Sequence, residues 1–291
     1  MWLVTGNNLK TVALLAFLTA LVVLMAELFG VGLFWGLAFA FGLNLIFYFF
    51  SDRFALSASG ARPVEEHEVP QVYATVRRLA LMSEMPMPKV YLIEAPQPNA
   101  FATGRSPKHA AVAVTTGILE MLTPQELEGV LGHELSHVRN RDILISTIAA
   151  MLAAALTIFA RIAFWTGGGS RREGGNAITA VLSLVSLILA PIAAMIIRLA
   201  ISRAREYEAD HDGAEITGQP LNLAAALQKI GSATRRIGMP VNAAISPLYI
   251  ADPLKAFEGR RSRGGFGTLF ATHPPIEDRI RRLEEMATGV R

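Results

Sequence analysis

The sequence has no cysteine, and this absence excludes several kinds of protein. A chain without thiols has no disulfide framework, no thiolate metal ligand and no cysteine nucleophile. Any metal ion must therefore be held by histidine, aspartate or glutamate side chains. Charged residues are also scarce, at 18% of the 291 residues against about 25% in an average soluble domain. This deficit indicates long uncharged runs of the kind found in membrane proteins.

The uncharged residues are concentrated in four stretches, each of which lacks Asp, Glu, Lys and Arg. They are residues 11–26, 28–51, 143–160 and 174–197. A helix that crosses about 30 Å of hydrocarbon needs about 20 apolar residues. With their flanks, the stretches predict four transmembrane helices, over about residues 9–28, 31–50, 143–163 and 176–198. A cleavable signal peptide would have a shorter apolar part, of about 7–15 residues, and no second span directly after it.

The four spans divide the chain into a transmembrane hairpin, a second transmembrane pair and two soluble segments. The hairpin is residues 1–51, the second pair is 143–198, and the soluble segments are 52–142 and 199–291. Lys and Arg are abundant in both soluble segments and sparse in the loop between the third and fourth spans. This bias predicts that both soluble segments and both termini are cytoplasmic. We expect no nucleic-acid partner, because the sequence has no basic stripe interleaved with aromatic residues.

The first soluble segment mixes the patterns of helices and strands. Apolar residues at helical spacing predict a helix over residues 64–81, and two short apolar runs, 89–93 and 110–114, predict strands. A second helix start follows at Thr123, which precedes a proline and has Glu126 three positions later, as in a capping box. This second helix leads into the residues that carry the chemistry.

That helix contains the motif His133-Glu134-x-x-His137. Two histidines four positions apart lie on one face of a helix, so both imidazoles can reach one metal ion. Glu134 projects beside them and is free to act as a general base. The pattern is typical of a catalytic zinc ion that activates water while a carboxylate takes the proton.

A catalytic zinc site usually has three protein ligands, so a third one is needed from elsewhere in the chain. The best supplier is the helix after the fourth span, where Glu206 and Asp210 are four positions apart and share a face. We expect Glu206 to bind zinc and Asp210 to accept a hydrogen bond from a ligating imidazole. Considered alone, this helix could instead be a solvated face on which the acids pair with Arg203 and Arg205.

Together, these motifs and their flanking spans resemble the HtpX-type membrane zinc metalloproteases. Those proteins are relatives of the CAAX prenyl endopeptidases and, more distantly, of the thermolysin-like gluzincins. Supporting segments are Asn99-Ala100-Phe101-Ala102-Thr103-Gly104, Val114-Thr115-Thr116-Gly117 and Thr272-His273-Pro274-Pro275. The resemblance implies a mainly α integral membrane protein with four spans and an α+β gluzincin-like domain that has a small edge sheet.

The resemblance also implies an activity and a location. It implies one zinc ion per chain, with His133, His137 and Glu206 as ligands and Glu134 as the catalyst. It further implies cleavage of damaged membrane proteins at the cytoplasmic side of the bacterial inner membrane, as quality control under stress. The expected partners are unfolded protein substrates and the lipid bilayer.

Other residues have possible roles near the site. Asn99 and Ala100 could lie on an exposed strand edge above the zinc, where a peptide substrate pairs its backbone, or simply form a turn. His273 could donate to the oxyanion or hold a ligand, or cap the final helix that follows Pro275. Arg279 could steady the zinc-binding carboxylate. The glycine-rich loop at residues 259–267 is given no role.

Two alternative functions share part of this evidence. A membrane transporter with a structural zinc site would need ionisable groups deep within its spans, and the four uncharged stretches contain none. A prenyl-protein endopeptidase would share all the catalytic residues. It is the weaker alternative, because members of that family have more than four spans.

Overall fold

The computed structural model describes residues 2–28, 30–168, 203–242, 245–257 and 274–289. The fourth predicted span at 176–198, His273 and the loop at 259–267 lie outside the described residues.

Within these ranges the chain is mainly helical, with nine α-helices and one small sheet. The helices are α1 Trp2–Leu28, α2 Leu33–Ala58, α3 Pro70–Met82, α4 Thr116–Met121, α5 Pro124–Arg139, α6 Asp142–Gly168, α7 Arg203–Thr217, α8 Pro220–Thr234 and α9 Ile276–Thr288. The strands are β1 Arg62–Pro63, β2 Lys89–Ile93, β3 Ala100–Gly104 and β4 Ala110–Thr115, with 3-10 turns at Pro107–His109 and Ser246–Leu248.

The first two helices form a hairpin that packs against α6. Leu18 of α1, Phe47 of α2 and Leu152 of α6 belong to one buried apolar cluster. Asn44 adds a hydrogen bond across the hairpin, donating from Nδ2 to Thr19 Oγ1 at 2.8 Å. The three helices therefore form one bundle, as expected if they share a membrane environment.

The membrane-spanning prediction is met in part. Among the described residues, α2 is the helix long and apolar enough to cross a bilayer, and 17% of its most apolar window is buried. The described apolar parts of the other two helices, Leu9–Leu24 in α1 and Asp142–Leu156 in α6, are shorter. Much of the apolar surface of α2 thus faces outward, as in a helix surrounded by lipid.

The sheet is mixed and has the order β1-β2-β4-β3. β2 and β4 are parallel, whereas β1 and β3 pair antiparallel with β2 and β4, respectively. The predicted strands at 89–93 and 110–114 are confirmed as β2 and β4. Because β3 is the last strand of this sheet, one of its edges has no strand partner among the described residues.

One hydrophobic core joins the two soluble segments. It contains Val76 of α3, Val112 of β4, Leu131 of α5, Leu227 of α8 and Leu283 of α9. The helix predicted at 64–81 begins only at residue 70, where a proline occupies its first turn. The predicted final helix is confirmed as α9. Packing of α5 against α7 and α8 places the histidine motif between the two segments.

Candidate metal centre

Helix α5 supplies the two histidines and the neighbouring glutamate. Its predicted start is confirmed: Thr123 Oγ1 accepts from the Glu126 N–H, and Glu126 Oε2 accepts from the Thr123 N–H. This capping box fixes the first turn, so the side chains two turns later have defined directions. His133 and Glu134 are almost fully buried, and His137 is partly exposed.

Helix α7 crosses α5 with the two backbones in close contact. A Cβ atom at Gly213 would lie 2.6 Å from the His133 backbone nitrogen, and one at Gly132 would lie 3.1 Å from the Gly213 carbonyl oxygen. At residue 213 only glycine allows this approach, and at residue 132 a Cβ atom would force its neighbours to shift. The crossing brings the carboxylate of Glu206, on α7, to the imidazoles of α5.

Three side chains form a cluster with the geometry of a metal site. His137 Nε2 lies 3.5 Å from Glu206 Oε1, and His133 Nε2 lies 4.0 Å from Glu206 Oε2. The three ligand atoms are within 4.8 Å of one another. Donors about 2.0–2.1 Å from one tetrahedral ion would be roughly 3.3–3.4 Å apart. Two imidazoles and a carboxylate are a common set in catalytic zinc sites, so the residues present fit a zinc ion.

Behind His133 lies a buried aspartate and arginine pair. His133 Nδ1 is 2.9 Å from Asp210 Oδ1, and Arg279 binds both oxygens of that carboxylate. Burial lowers the pKa of His133 to about 4, and Arg279 adds to the effect. Burial would raise the pKa of Asp210, but Arg279 outweighs it and lowers the pKa to about 2. His133 is therefore neutral, and a proton on Nδ1 leaves the Nε2 lone pair for a metal.

Behind His137 lies a second carboxylate, that of Asp142. Its Oδ2 atom is 3.1 Å from His137 Nδ1. Burial would lower the pKa of His137, but Asp142, Glu206 and Glu134 outweigh it and raise the pKa to about 9. Without a metal ion, the negative site thus holds a proton on His137, which a bound cation would displace.

The position of Asp142 follows from a tight turn between α5 and α6. Arg141 adopts a φ of 59°, in the left-handed region that non-glycine residues seldom occupy. In the sequence, residue 142 marks only the end of the first soluble segment. Its contact with His137 was not predictable, because the conformation of this turn has no clear sequence signal.

Glu134 lies beside the cluster and has its own partner. Its carboxylate accepts a hydrogen bond from the backbone of Ala102, in β3. Burial raises the pKa of Glu134 to about 7, against the opposing effect of His137. A carboxyl with a pKa near neutrality is suited to take up and release a proton during a reaction.

The expectation of an exposed strand edge at Asn99 and Ala100 is wrong. Both residues are fully buried. Asn99 Nδ2 donates to the Ala251 carbonyl at 2.8 Å, and Ile250 N–H donates to the Ala100 carbonyl at 3.0 Å. The segment after the Ser246–Leu248 turn therefore covers this end of β3. Ala102, further along the strand, lines the pocket that also contains the side chains of His133, Glu134 and His137.

Two arginines lie close to the cluster. Arg279 Nη1 lies 3.8 Å from Glu206 Oε2, in line with the expected contact to that carboxylate, and its shorter contacts are with Asp210. Arg205 is buried, not on a solvated acidic face, and its Nη1 atom lies 3.6 Å from Asp142 Oδ1. Arg203 is exposed, as expected.

Comparisons with known proteins point to one family. Residues 66–287 match the model of peptidase family M48. The chain is 48% identical over 285 residues to "Protease HtpX homolog" of Thermodesulfovibrio yellowstonii, covering 97% of this chain and 99% of that protein. It is 46% identical over 288 residues to the protein of the same name in Burkholderia multivorans, covering 97% of each. The crystal structure of S. mikatae Ste24p has a similar fold, with a TM-score of 0.51 and 18% identity, over 97% of this chain and 66% of that one.

Proposed function

The chain belongs to peptidase family M48, and from that premise we propose that His133, His137 and Glu206 hold a catalytic zinc ion. The family match and the similarity to HtpX homologues over nearly the whole chain confirm the resemblance to HtpX-type proteases. The chain is therefore a membrane metalloprotease. The observation that carries the zinc proposal is the convergence of three ligand atoms within 4.8 Å, beside a buried glutamate.

The chain's own residues supply the proton transfers of peptide hydrolysis. When bound, zinc would act as a Lewis acid that polarises the scissile carbonyl and activates water. A carboxylate oxygen of Glu134 takes the proton from the attacking water and passes it to the leaving amide nitrogen. The backbone of Ala102 donates a hydrogen bond to this carboxylate, and Glu134 is buried beside the cluster.

The two ligand histidines are oriented by carboxylates on their far sides. Asp210 accepts from His133 Nδ1 and Asp142 accepts from His137 Nδ1, so both Nε2 atoms face Glu206. Such partners fix the tautomer and direction of a ligating imidazole.

The substrates are damaged or misfolded membrane proteins, cleaved on the cytoplasmic side. This part of the proposal is supported by the resemblance of the motifs to HtpX-type proteases and by the apolar helix α2.

Four spans and a cytoplasmic catalytic domain complete the proposal. The native chain has no cysteine, so single cysteines introduced by Ser57→Cys and Gly169→Cys report on topology without background. An impermeant thiol reagent added outside intact cells should label the cysteine at 169 and spare the one at 57. Labelling at 57 from outside would contradict the orientation.

The catalytic proposal is tested by measuring two properties of two proteins. Metal content and cleavage of unfolded casein are determined for the detergent-purified wild type and Glu134→Gln. We expect about one zinc ion in each, and cleavage slower by about 10²–10⁴-fold in the variant, which lacks the general base. Loss of zinc from Glu134→Gln would contradict the proposal that Glu134 is the base and not a zinc ligand. A wild type that binds zinc but does not cleave casein would indicate a structural or gated site.

A further inference from the structure

Behind each histidine of the cluster lies an aspartate side chain, and behind each aspartate lies an arginine side chain. The first row is His133, Asp210 and Arg279, with contacts of 2.9 Å and 2.6 Å. The second row runs from His137 Nδ1 to Asp142 Oδ2 at 3.1 Å, and from Asp142 Oδ1 to Arg205 Nη1 at 3.6 Å. The two rows approach the cluster from different helices, but they have the same chemical order.

We propose that Arg205 is a positioning residue, which holds Asp142 and thereby fixes the ring of His137 for metal binding. This role rests on the proposed zinc site. Arg205 touches neither the metal nor the substrate in this scheme, and it acts through one carboxylate.

The burial of Arg205 supports this role. The residue is 7% exposed, and its guanidinium nitrogens have no hydrogen-bond partner in the part of the chain that the structure describes. A buried guanidinium is costly unless a negative charge compensates it. Asp142, itself 4% exposed, provides that charge.

The two carboxylate oxygens of Asp142 contact different side chains. Oδ2 faces the imidazole, and Oδ1 faces the guanidinium. An attraction on the second oxygen opposes rotation of the carboxylate, so the first oxygen stays directed at His137 Nδ1. Asp142 is also the first residue of α6, where the helix dipole favours a negative charge.

Arg205 also connects the second histidine to the third ligand. It precedes Glu206 on α7, whereas His137 is on α5 and Asp142 begins α6. A hydrogen bond of 2.9 Å from Asn140 Nδ2 to Asp212 Oδ2 closes the same corner between α5 and α7. A shift of α6 away from α7 would therefore disturb two ligands together.

The contact of 3.6 Å is an ion pair and not a hydrogen bond. We therefore expect Arg205 to act mainly through its charge, which lysine can partly replace. Arg279, in contrast, grips its aspartate through two short hydrogen bonds, which lysine cannot reproduce.

The test measures zinc affinity by competition with a chelator, in the full-length protein in detergent. All variants carry Glu134→Gln, so that no self-digestion occurs. Arg205→Gln should weaken zinc binding roughly tenfold, at the low end of the range for residues around the ligands. Arg205→Lys should recover part of the loss. Arg203→Gln, an exposed arginine of the same helix, should bind zinc like the parent.

A double variant separates positioning from a general structural effect. If Arg205 acts through Asp142, then Arg205→Gln should add little to the loss caused by Asp142→Asn. Fully additive losses, or unchanged zinc affinity in Arg205→Gln, would overturn the proposal. A parent protein that binds no zinc would refute the zinc site itself, which is a different outcome.

Discussion

Arg279 and Asp210 form a buried, two-pronged ion pair directly behind His133. Arg279 Nε donates to Asp210 Oδ2 at 2.7 Å, and Nη2 donates to Oδ1 at 2.6 Å. A third donor, Nη1, binds the Ile250 carbonyl at 3.1 Å. One side chain of α9 thus joins α7 to the segment that covers β3, and the site depends on this contact between distant parts of the chain.

Removal of this guanidinium should be strongly destabilising. Arg279→Met leaves the buried carboxylate of Asp210 with only the His133 contact and no compensating charge, which should cost about 3–5 kcal/mol of unfolding free energy. Arg279→Lys should recover little, because an ammonium group cannot donate the same fork of hydrogen bonds. The measurement is thermal unfolding in detergent after metal removal.

Arg281→Met provides the matched control for that measurement. Arg281 is exposed on the same helix, so its replacement should change stability by no more than about 0.5 kcal/mol. Equal unfolding temperatures for Arg279→Met and Arg281→Met would show that the buried pair is not needed for stability.

The parts of the site that the sequence predicted depend on local signals. The start of α5 was predictable because Thr123 and Glu126 form their cap within four residues. The shared face of Glu206 and Asp210 follows from their spacing on one helix. β2 and β4 were predictable for the same reason, since each coincides with a short apolar run.

The missing parts depend on tertiary contacts. Arg205 looked like a solvated residue, because nothing in its sequence neighbours shows that Asp142, the first residue of α6, lies beside it. The burial of Asn99 depends on Ala251, which is 152 residues away. Local periodicity carries no information on such pairs, so the covered strand edge and the role of Asp142 required the structure.

The third ligand can be tested on α7 itself. Glu206→Gln removes the carboxylate ligand and should reduce zinc affinity by at least about 100-fold, because catalytic zinc usually needs three protein ligands. Glu208→Gln, two positions along the same helix, should retain the affinity. The measurement is zinc content after dialysis against a weak chelator. Full occupancy in Glu206→Gln would transfer the ligand role to Glu208, His211 or His273.

The contact between α5 and α7 predicts that replacing Gly213 by alanine lowers stability, whereas helix propensity alone predicts that it raises stability. Alanine is favoured over glycine by about 1 kcal/mol in a free helix. At residue 213, however, a Cβ atom would lie 2.6 Å from the backbone nitrogen of His133. Gly213→Ala should therefore destabilise the protein by about 1–3 kcal/mol through overpacking, and weaken zinc binding by moving Glu206.

Unfolding temperature and zinc affinity both check this prediction. Glu215→Ala is the control, because residue 215 is exposed on the same helix and also becomes alanine. If Gly213→Ala were as stable as the wild type with unchanged zinc affinity, the close crossing would not be what positions the ligands.

The cap of α5 should make stability depend on pH. Burial would raise the pKa of Glu126, but hydrogen bonds with Lys229 and Thr123 outweigh it and lower the pKa. Because the pKa of Glu126 is lower in the folded state, the ionised carboxylate stabilises the protein at any pH above the pKa in the unfolded state, about 4.3. This stabilisation is lost as the pH falls through the pKa in the folded state. Glu126→Gln keeps an oxygen for the cap but cannot pair with Lys229, so it should lack this dependence.

The comparison is therefore between wild type and Glu126→Gln at two pH values, both without metal. At pH 7 the wild type should be more stable by up to about 1 kcal/mol, a small gain because Lys229 is partly exposed. As the pH falls towards 3 the difference in unfolding temperature should shrink, since a carboxyl that becomes protonated no longer attracts the ammonium group. Lys229→Gln should follow Glu126→Gln at both pH values. A difference that persists unchanged at low pH would mean that the ion pair is not its source.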